Sequence, residues 1–241
     1  MRGLRMVSAL LCLWAAPAAP AAADEATDAF HAAVAGAYRH YREALHYHET
    51  GNADLAELAL DQFVAEWKAL AARYADKAPP AYAKDAAFAE ALAAIEGKAT
   101  SAVAAAPAEA LHALRPIRGD LAALRKRSGQ RIFSDCVDEM GQAMDKLYVY
   151  FQRRTLLKLD QAASIAGFEA TAADVHGHYR RCQGEAPAAY RETPEFRRFF
   201  EGVFERFGRL GALLRARDEQ QIYNALGELR SFDKLIWLRF G

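Results

Sequence analysis

Apolar residues recur at three- and four-residue spacing along almost the whole chain, which is the pattern of amphipathic α-helices. The first helix is predicted over residues 25–50, and the second runs to about residue 74. The expected core face of the first helix comprises Phe30, Val34, Ala37, Tyr41, Leu45 and His48. The expected core face of the second comprises Leu55, Leu58, Phe63, Trp67 and Leu70. No segment has the strict apolar–polar alternation that is typical of a half-buried strand.

Glycines, prolines and capping residues indicate where the helices begin and end. Gly51 suits the left-handed position that closes the first helix, and Asp54 is expected to cap the second. Pro116 lies inside the predicted fourth helix and should kink or split it, because proline lacks a backbone N–H and crowds the preceding turn. Thr193, followed by a proline, and Asp218 are the expected caps of the last two helices.

The second half of the chain repeats landmarks of the first half in the same order. The matched pairs are Phe63 with Phe168, Tyr74 with Tyr179, Tyr82 with Tyr190, Phe88 with Phe196, Leu92 with Phe200, Ile95 with Val203, Leu114 with Leu226 and Arg118 with Arg230. Such self-similarity marks a repeated supersecondary unit, and short loops make successive helices antiparallel neighbours. The sequence therefore predicts an all-α protein of two tandem four-helix up-down bundles related by internal duplication, over residues 24–128 and 129–241.

Residues 1–23 have the features of a secretory signal peptide: Arg2 and Arg5, a short apolar run, and small residues before Asp24. The run is too short for a membrane span of about 20 residues, so no transmembrane anchor is expected. The mature chain is predicted to be periplasmic, with 29 basic and 31 acidic residues and a net charge of −2. That charge disfavours binding to nucleic acid or to an anionic membrane surface.

Cys136 and Cys182 are the two cysteines expected in the mature chain, and a helical hairpin would bring them together. A pair of cysteines in an exported chain is typical of a disulfide. Met140 shares a helix face with Cys136, and His178 shares one with Cys182, because each pair is four residues apart. The alternative interpretation is therefore a soft-ligand copper site formed by Cys136, Met140, His178 and Cys182.

A second, weaker metal hypothesis comes from two Glu-x-x-His motifs, Glu43 with His46 and Glu109 with His112. This spacing places a carboxylate and an imidazole on one helix face, as in carboxylate di-iron bundles. Helical phase turns both motifs away from the expected core faces, which argues against a buried iron site. His48 does fall on the core face, where a hydrogen-bonded core histidine is the alternative to a ligand.

Arg118 and Arg230 occupy matching positions in the last helix of each half. Either each arginine pairs with a nearby carboxylate at the edge of the core, or the two form an anion-binding pair. The first helix of each half is also rich in tyrosine, with Tyr38, Tyr41, Tyr47, Tyr148 and Tyr150. These side chains indicate either packing between helices or a partner surface.

The chain contains no Cys-x-x-Cys-His, His-Glu-x-x-His or Gly-x-Ser-x-Gly motif and no glycine-rich phosphate loop. The leading hypothesis is therefore a non-catalytic periplasmic binding or interaction module, without a cofactor, whose partner is an unknown protein or a small ligand. The alternative is a periplasmic metal-handling or redox protein. It would hold copper at the cysteine cluster, or non-covalent haem or iron in a bundle.

Overall fold

The computed structural model describes residues 25–241, and every regular element assigned in that range is helical. The α-helices are α1 (Glu25–Thr50), α2 (Ala53–Tyr74), α3 (Phe88–Val103), α4 (Pro107–Leu114), α5 (Pro116–Arg127), α6 (Phe133–Gln152), α7 (Ala162–Glu185), α8 (Ala188–Arg191), α9 (Pro194–Ala216) and α10 (Glu219–Phe240). Short 3-10 turns lie at Pro80–Tyr82 and Arg154–Leu156. The all-α prediction is thus confirmed for this range. The signal peptide predicted over residues 1–23 lies outside the described residues.

The helices surround two hydrophobic cores that follow one another along the chain. In the first half, α1 contacts α2 and α4, and α3 contacts α2, α4 and α5, around a core drawn from residues 30–124. In the second half, α6 and α9 each contact α7 and α10, around a core drawn from residues 136–240. The halves meet where α1 contacts α10, and Trp237 packs against both cores. None of the described helices is long and apolar enough to cross a membrane.

Helix ends in three places follow the predicted local chemistry. The predicted fourth helix is split in two: α4 ends at Leu114, two residues before Pro116, and α5 begins at Pro116. Thr193 caps α9 and Asp218 caps α10, each accepting a hydrogen bond from a first-turn backbone N–H. These caps satisfy donors that a helix start otherwise leaves unpaired.

The turn between α1 and α2 agrees with the prediction at one end only. Gly51 has φ of +75° and closes α1 in the left-handed conformation that glycine adopts without strain. The cap expected from Asp54 is wrong. Asn52 stands at the N-cap position of α2 without a side-chain cap, and Asp54 lies in the first turn.

The expected core face of α2 is wrong at its first two positions. Leu55 and Leu58 are 40% and 56% exposed, whereas Ala56, Ala59 and Leu60 are buried. The buried stripe then continues through Phe63, Trp67 and Leu70, as predicted. Small alanine side chains let two helices approach closely, so close packing rather than hydrophobicity alone selects the buried face here.

Candidate functional site

The two cysteines lie together at one end of the α6–α7 hairpin, as predicted. The sulfurs of Cys136 and Cys182 are at disulfide distance, their Cα atoms are 5.6 Å apart, and both side chains are fully buried. Cys136 lies in the first turn of α6 and Cys182 in the last turn of α7. The bond closes a sequence separation of 46 residues within the second half.

The other two residues of the predicted copper site have different surroundings. Met140 is fully buried in the second core, which also contains both cysteines. His178 is a quarter exposed; its Nδ1 lies 2.9 Å from Arg181 Nη2, and its Nε2 lies 3.9 Å from Asp174 Oδ1. Between residues 25 and 241, no group of three or more His, Cys, Asp or Glu side chains is placed to hold a metal.

The Glu-x-x-His motifs lie at the surface or near it. Glu109 and His112 are both exposed. Glu43 Oε2 lies 3.3 Å from His40 Nδ1, and the His46 ring lies beside that of Tyr47. His40, which belongs to neither motif, is buried, and its Nε2 lies 3.3 Å from Glu66 Oε1.

His48 is half-buried at the end of α1. Burial lowers the pKa of its imidazole, and its buried Nε2 has no hydrogen-bond partner among the described residues. A neutral imidazole of this kind fits a packed core histidine at the edge of the first core.

The two matched arginines both lie beside carboxylates, but in different ways. Arg118, on α5, crosses to the second half, where its Nε lies 2.5 Å from Asp138 Oδ1 on α6. Arg230, on α10, stays within its own half, with its Nη1 2.7 Å from Asp145 and 3.1 Å from Asp233. Each arginine is therefore paired with at least one carboxylate, as one of the two interpretations of the sequence expected.

Arg118 and Arg230 also line one cavity, of about 190 Å³, at the place where the halves meet. Other lining residues are Tyr41 and Leu45 of α1, Gly141 of α6, and Trp237 of α10. A Cβ atom at Gly141 would lie 3.3 Å from Arg118 Nη2, so glycine leaves room for the guanidinium. A wider cleft between α5 and α6, also lined by Arg118, opens beside this cavity.

Three side chains that line the cavity carry a buried polar atom without a partner in residues 25–241. The atoms are Tyr41 Oη, Arg118 Nη2 and Trp237 Nε1. Tyr41 is wholly buried, and the Arg118 guanidinium carbon lies 5.7 Å from the centre of the Trp237 ring. An unpaired buried polar group costs about 1–3 kcal/mol, so native structures rarely gather several in one place without a use for them.

Burial controls the charge of the groups around the cavity. It raises the pKa of Asp138 to about 6, although the nearby Arg118 and Arg125 charges act in the opposite direction. Burial likewise raises the pKa of Asp233 and the pKa of Tyr41, so the Tyr41 phenol stays protonated at neutral pH. The Tyr179 hydroxyl donates a 2.6 Å hydrogen bond to Asp233 Oδ1 and satisfies that carboxyl from within the second core.

The raised pKa of Asp138 predicts a pH-dependent stability. The folded-state pKa of about 6 lies above the unfolded value of about 3.9, so the folded protein holds this proton more tightly. The resulting stabilisation is present below about pH 4 and is lost as the pH rises through 6. We expect the unmodified protein to lose about 3 kcal/mol of unfolding free energy between pH 4 and pH 7.5 from this ionisation, and Asp138→Asn to escape that loss. Urea unfolding of both proteins at the two pH values measures the difference. An exposed-acid variant, Glu205→Gln, should show the same loss as the unmodified protein, and an equal loss in Asp138→Asn would contradict the prediction.

Comparison with known proteins finds no matching family model, no matching curated protein and no matching solved structure. The site is therefore interpreted from its own geometry. Sequence reasoning had singled out Arg118, Arg230 and Tyr41, but it missed Trp237, Asp138 and Asp233. The repeat was the signal that found the arginines. Trp237 and the two acids carry no comparable signal, since they gain significance only through contacts with residues far away in the chain.

Proposed function

We propose that this protein is a non-catalytic binding module of the periplasm, and that its ligand occupies the cavity between the two helical halves. The observation that carries the proposal is the convergence of Tyr41, Arg118 and Trp237 on one cavity, each with an unpartnered polar atom. Leaving these buried atoms without hydrogen bonds costs free energy in the unbound protein. A ligand that forms hydrogen bonds with them removes that cost, and the difference adds to its affinity. Clefts where structural units meet are common places for small-molecule sites.

We further propose that the halves are two tandem four-helix bundles that arose by duplication. The support is a set of ring contacts that occurs once in each half. Phe30 contacts Tyr82 and Phe88, and Phe133 contacts Tyr190 and Phe196. In both halves the aromatic residue of the first helix packs against the matched tyrosine and phenylalanine. The binding cavity then lies at the contact between the two repeats.

The binding proposal is tested with a panel of small anions, cations and neutral polar compounds added to ¹⁵N-labelled protein. The readout is the indole N–H resonance of Trp237, assigned with Trp237→Phe. The Trp67 indole is an internal control, because its N–H already donates to the Leu92 carbonyl at 3.0 Å inside the first core. We expect at least one compound class to shift Trp237 saturably while Trp67 stays in place. A panel that leaves Trp237 unmoved would overturn the proposal.

The alternative function, periplasmic metal handling, is favoured by a different observation: Cys136, Cys182 and Met140 are buried in one cluster. The most specific version of this alternative is a copper ion bound by these three sulfurs, with the His178 side chain turned inward as a fourth ligand. Elemental analysis of protein purified without a chelator or a histidine tag tests it, and an absorbance scan tests the haem form. About one copper per chain, lost in Cys136→Ser, would favour this alternative over a disulfide.

A further inference from the structure

We propose that the cavity binds the carboxylate group of a small organic acid with one negative charge, and that Arg118 is its principal partner. This inference rests on the proposed binding function and names the class of ligand. It also assigns unequal roles to the two matched arginines, with Arg118 binding the ligand and Arg230 serving the protein itself.

The three unpartnered atoms have one chemistry in common, which is that each can donate a hydrogen bond. A guanidinium nitrogen and an indole nitrogen donate and never accept, and a protonated phenol donates readily. Burial raises the pKa of Tyr41 and keeps that proton in place. A carboxylate offers two oxygens that accept only, so it can satisfy Arg118, Trp237 and Tyr41 together. A cationic or donor-rich ligand would leave them unpaired.

The charges around the cavity favour Arg118 over Arg230 as the ligand's partner. Arg230 is already engaged by two carboxylates, Asp145 and Asp233. Arg118 contacts Asp138 through Nε, which leaves its Nη2 without a partner in the described part of the chain. Arg118 lines both the cavity and the α5–α6 cleft, and its side chain is 31% exposed, so a ligand can approach this side chain from the cleft.

The size and lining of the cavity favour a short acid with one negative charge over inorganic phosphate. Leu45, Gly141 and the Trp237 ring give the cavity an apolar side that suits a hydrocarbon body. The charged residues that line the cavity are four cations, Arg115, Arg118, Arg230 and Lys234, and three acids, Glu49, Asp145 and Asp233. A ligand with one negative charge therefore balances the formal charge of the lining. Tyr41 Oη, Arg118 Nη2 and Trp237 Nε1 are all shielded from solvent, so binding requires these three side chains to move toward the ligand.

The test titrates the protein with sodium propionate, with propionamide as its neutral isostere and with inorganic phosphate, and follows the Trp237 indole resonance. We expect propionate to shift this resonance saturably and to bind at least roughly tenfold more tightly than propionamide, because hydrogen bonds to a charged acceptor are the stronger ones. Equal affinity for propionamide, or tighter binding of phosphate, would overturn the carboxylate assignment and leave the binding module intact. No response to these or to the wider panel would overturn both proposals.

Two variants separate ligand binding from a structural role. Arg118→Gln should weaken propionate binding by roughly tenfold or more, and Tyr41→Phe by roughly two- to tenfold. Tyr41→Phe removes only an unpartnered hydroxyl, so its melting temperature should stay the same or rise. A purely structural tyrosine would instead give unchanged propionate affinity in Tyr41→Phe, which would contradict the proposal. Arg206→Gln on α9, away from the cavity, is the matched control and should bind propionate as the unmodified protein does.

Discussion

Replacing Arg125 by methionine should lower the free energy of unfolding by about 3–5 kcal/mol, because the largely buried Asp135 carboxylate would lose its oppositely charged partner. Arg125 lies at the end of α5, and its guanidinium makes two-pronged contact with Asp135 in the first turn of α6 at 2.5–2.9 Å. The two side chains are only 6% and 14% exposed. Asp135 also accepts a hydrogen bond from the Ile132 backbone N–H, so the pair holds the start of α6 against the first half. Urea unfolding monitored by circular dichroism measures the loss.

Arg131 provides the matched control for this prediction. It lies six residues further along the same joint and contacts both Glu139 and Glu185, but its side chain is 46% exposed. Exposed ion pairs contribute about 0–1 kcal/mol, so Arg131→Met should change stability by no more than that. Equal losses in Arg125→Met and Arg131→Met would show that burial does not set the strength of the Arg125 pair.

Removing the cysteine pair should have an effect of similar size. A covalent link across a 46-residue separation restricts the unfolded chain, and the chain-entropy relation gives about 4 kcal/mol for a loop of this length. We therefore expect the double variant Cys136→Ala/Cys182→Ala to lose about 4 kcal/mol of unfolding free energy. Both side chains are fully buried, so alanine is a better replacement than serine, which would place a hydroxyl in the core.

The unmodified protein, fully reduced in denaturant, is the control for this double variant. If the cross-link carries the effect, the reduced protein and the double variant should unfold at nearly the same urea concentration. The single variant Cys182→Ala should match them as well. A double variant as stable as the oxidised protein would show that the cysteines contribute no covalent constraint.

Much of the helical plan could be predicted from the sequence, because helix periodicity and helix ends are local properties. Pro116 splits its helix since proline cannot donate to the preceding turn, and Thr193 caps α9 with a hydroxyl that any helix start can use. The error at Leu55 and Leu58 is not local. Which face of α2 is buried depends on how closely α1 approaches it, and a hydrophobicity pattern does not contain that distance.

The candidate site shows the same division between local and distant information. The matched positions of Arg118 and Arg230 are visible in the sequence itself. It could not show that Arg118 meets Trp237, which lies more than a hundred residues later in the chain. Nor could composition show that Tyr41, on an apolar helix face like any core tyrosine, would end with an unpartnered hydroxyl at a cavity. Convergence of distant side chains is a tertiary property, and sites built this way leave little trace in a single sequence.

The break at Pro116 lies beside one of the two matched arginines, and the contacts of the two arginines differ. Two residues before the matched arginine, the first half has a proline and the second half has Glu228, within the unbroken helix α10. Arg118, just after the break, contacts Asp138 on α6 in the other half of the chain. Arg230, within the continuous helix, contacts Asp233 three residues along its own helix and Asp145 on α6 of its own half. The arginine beside the helix break thus joins the two halves of the chain, whereas the arginine in the unbroken helix joins two helices within one half.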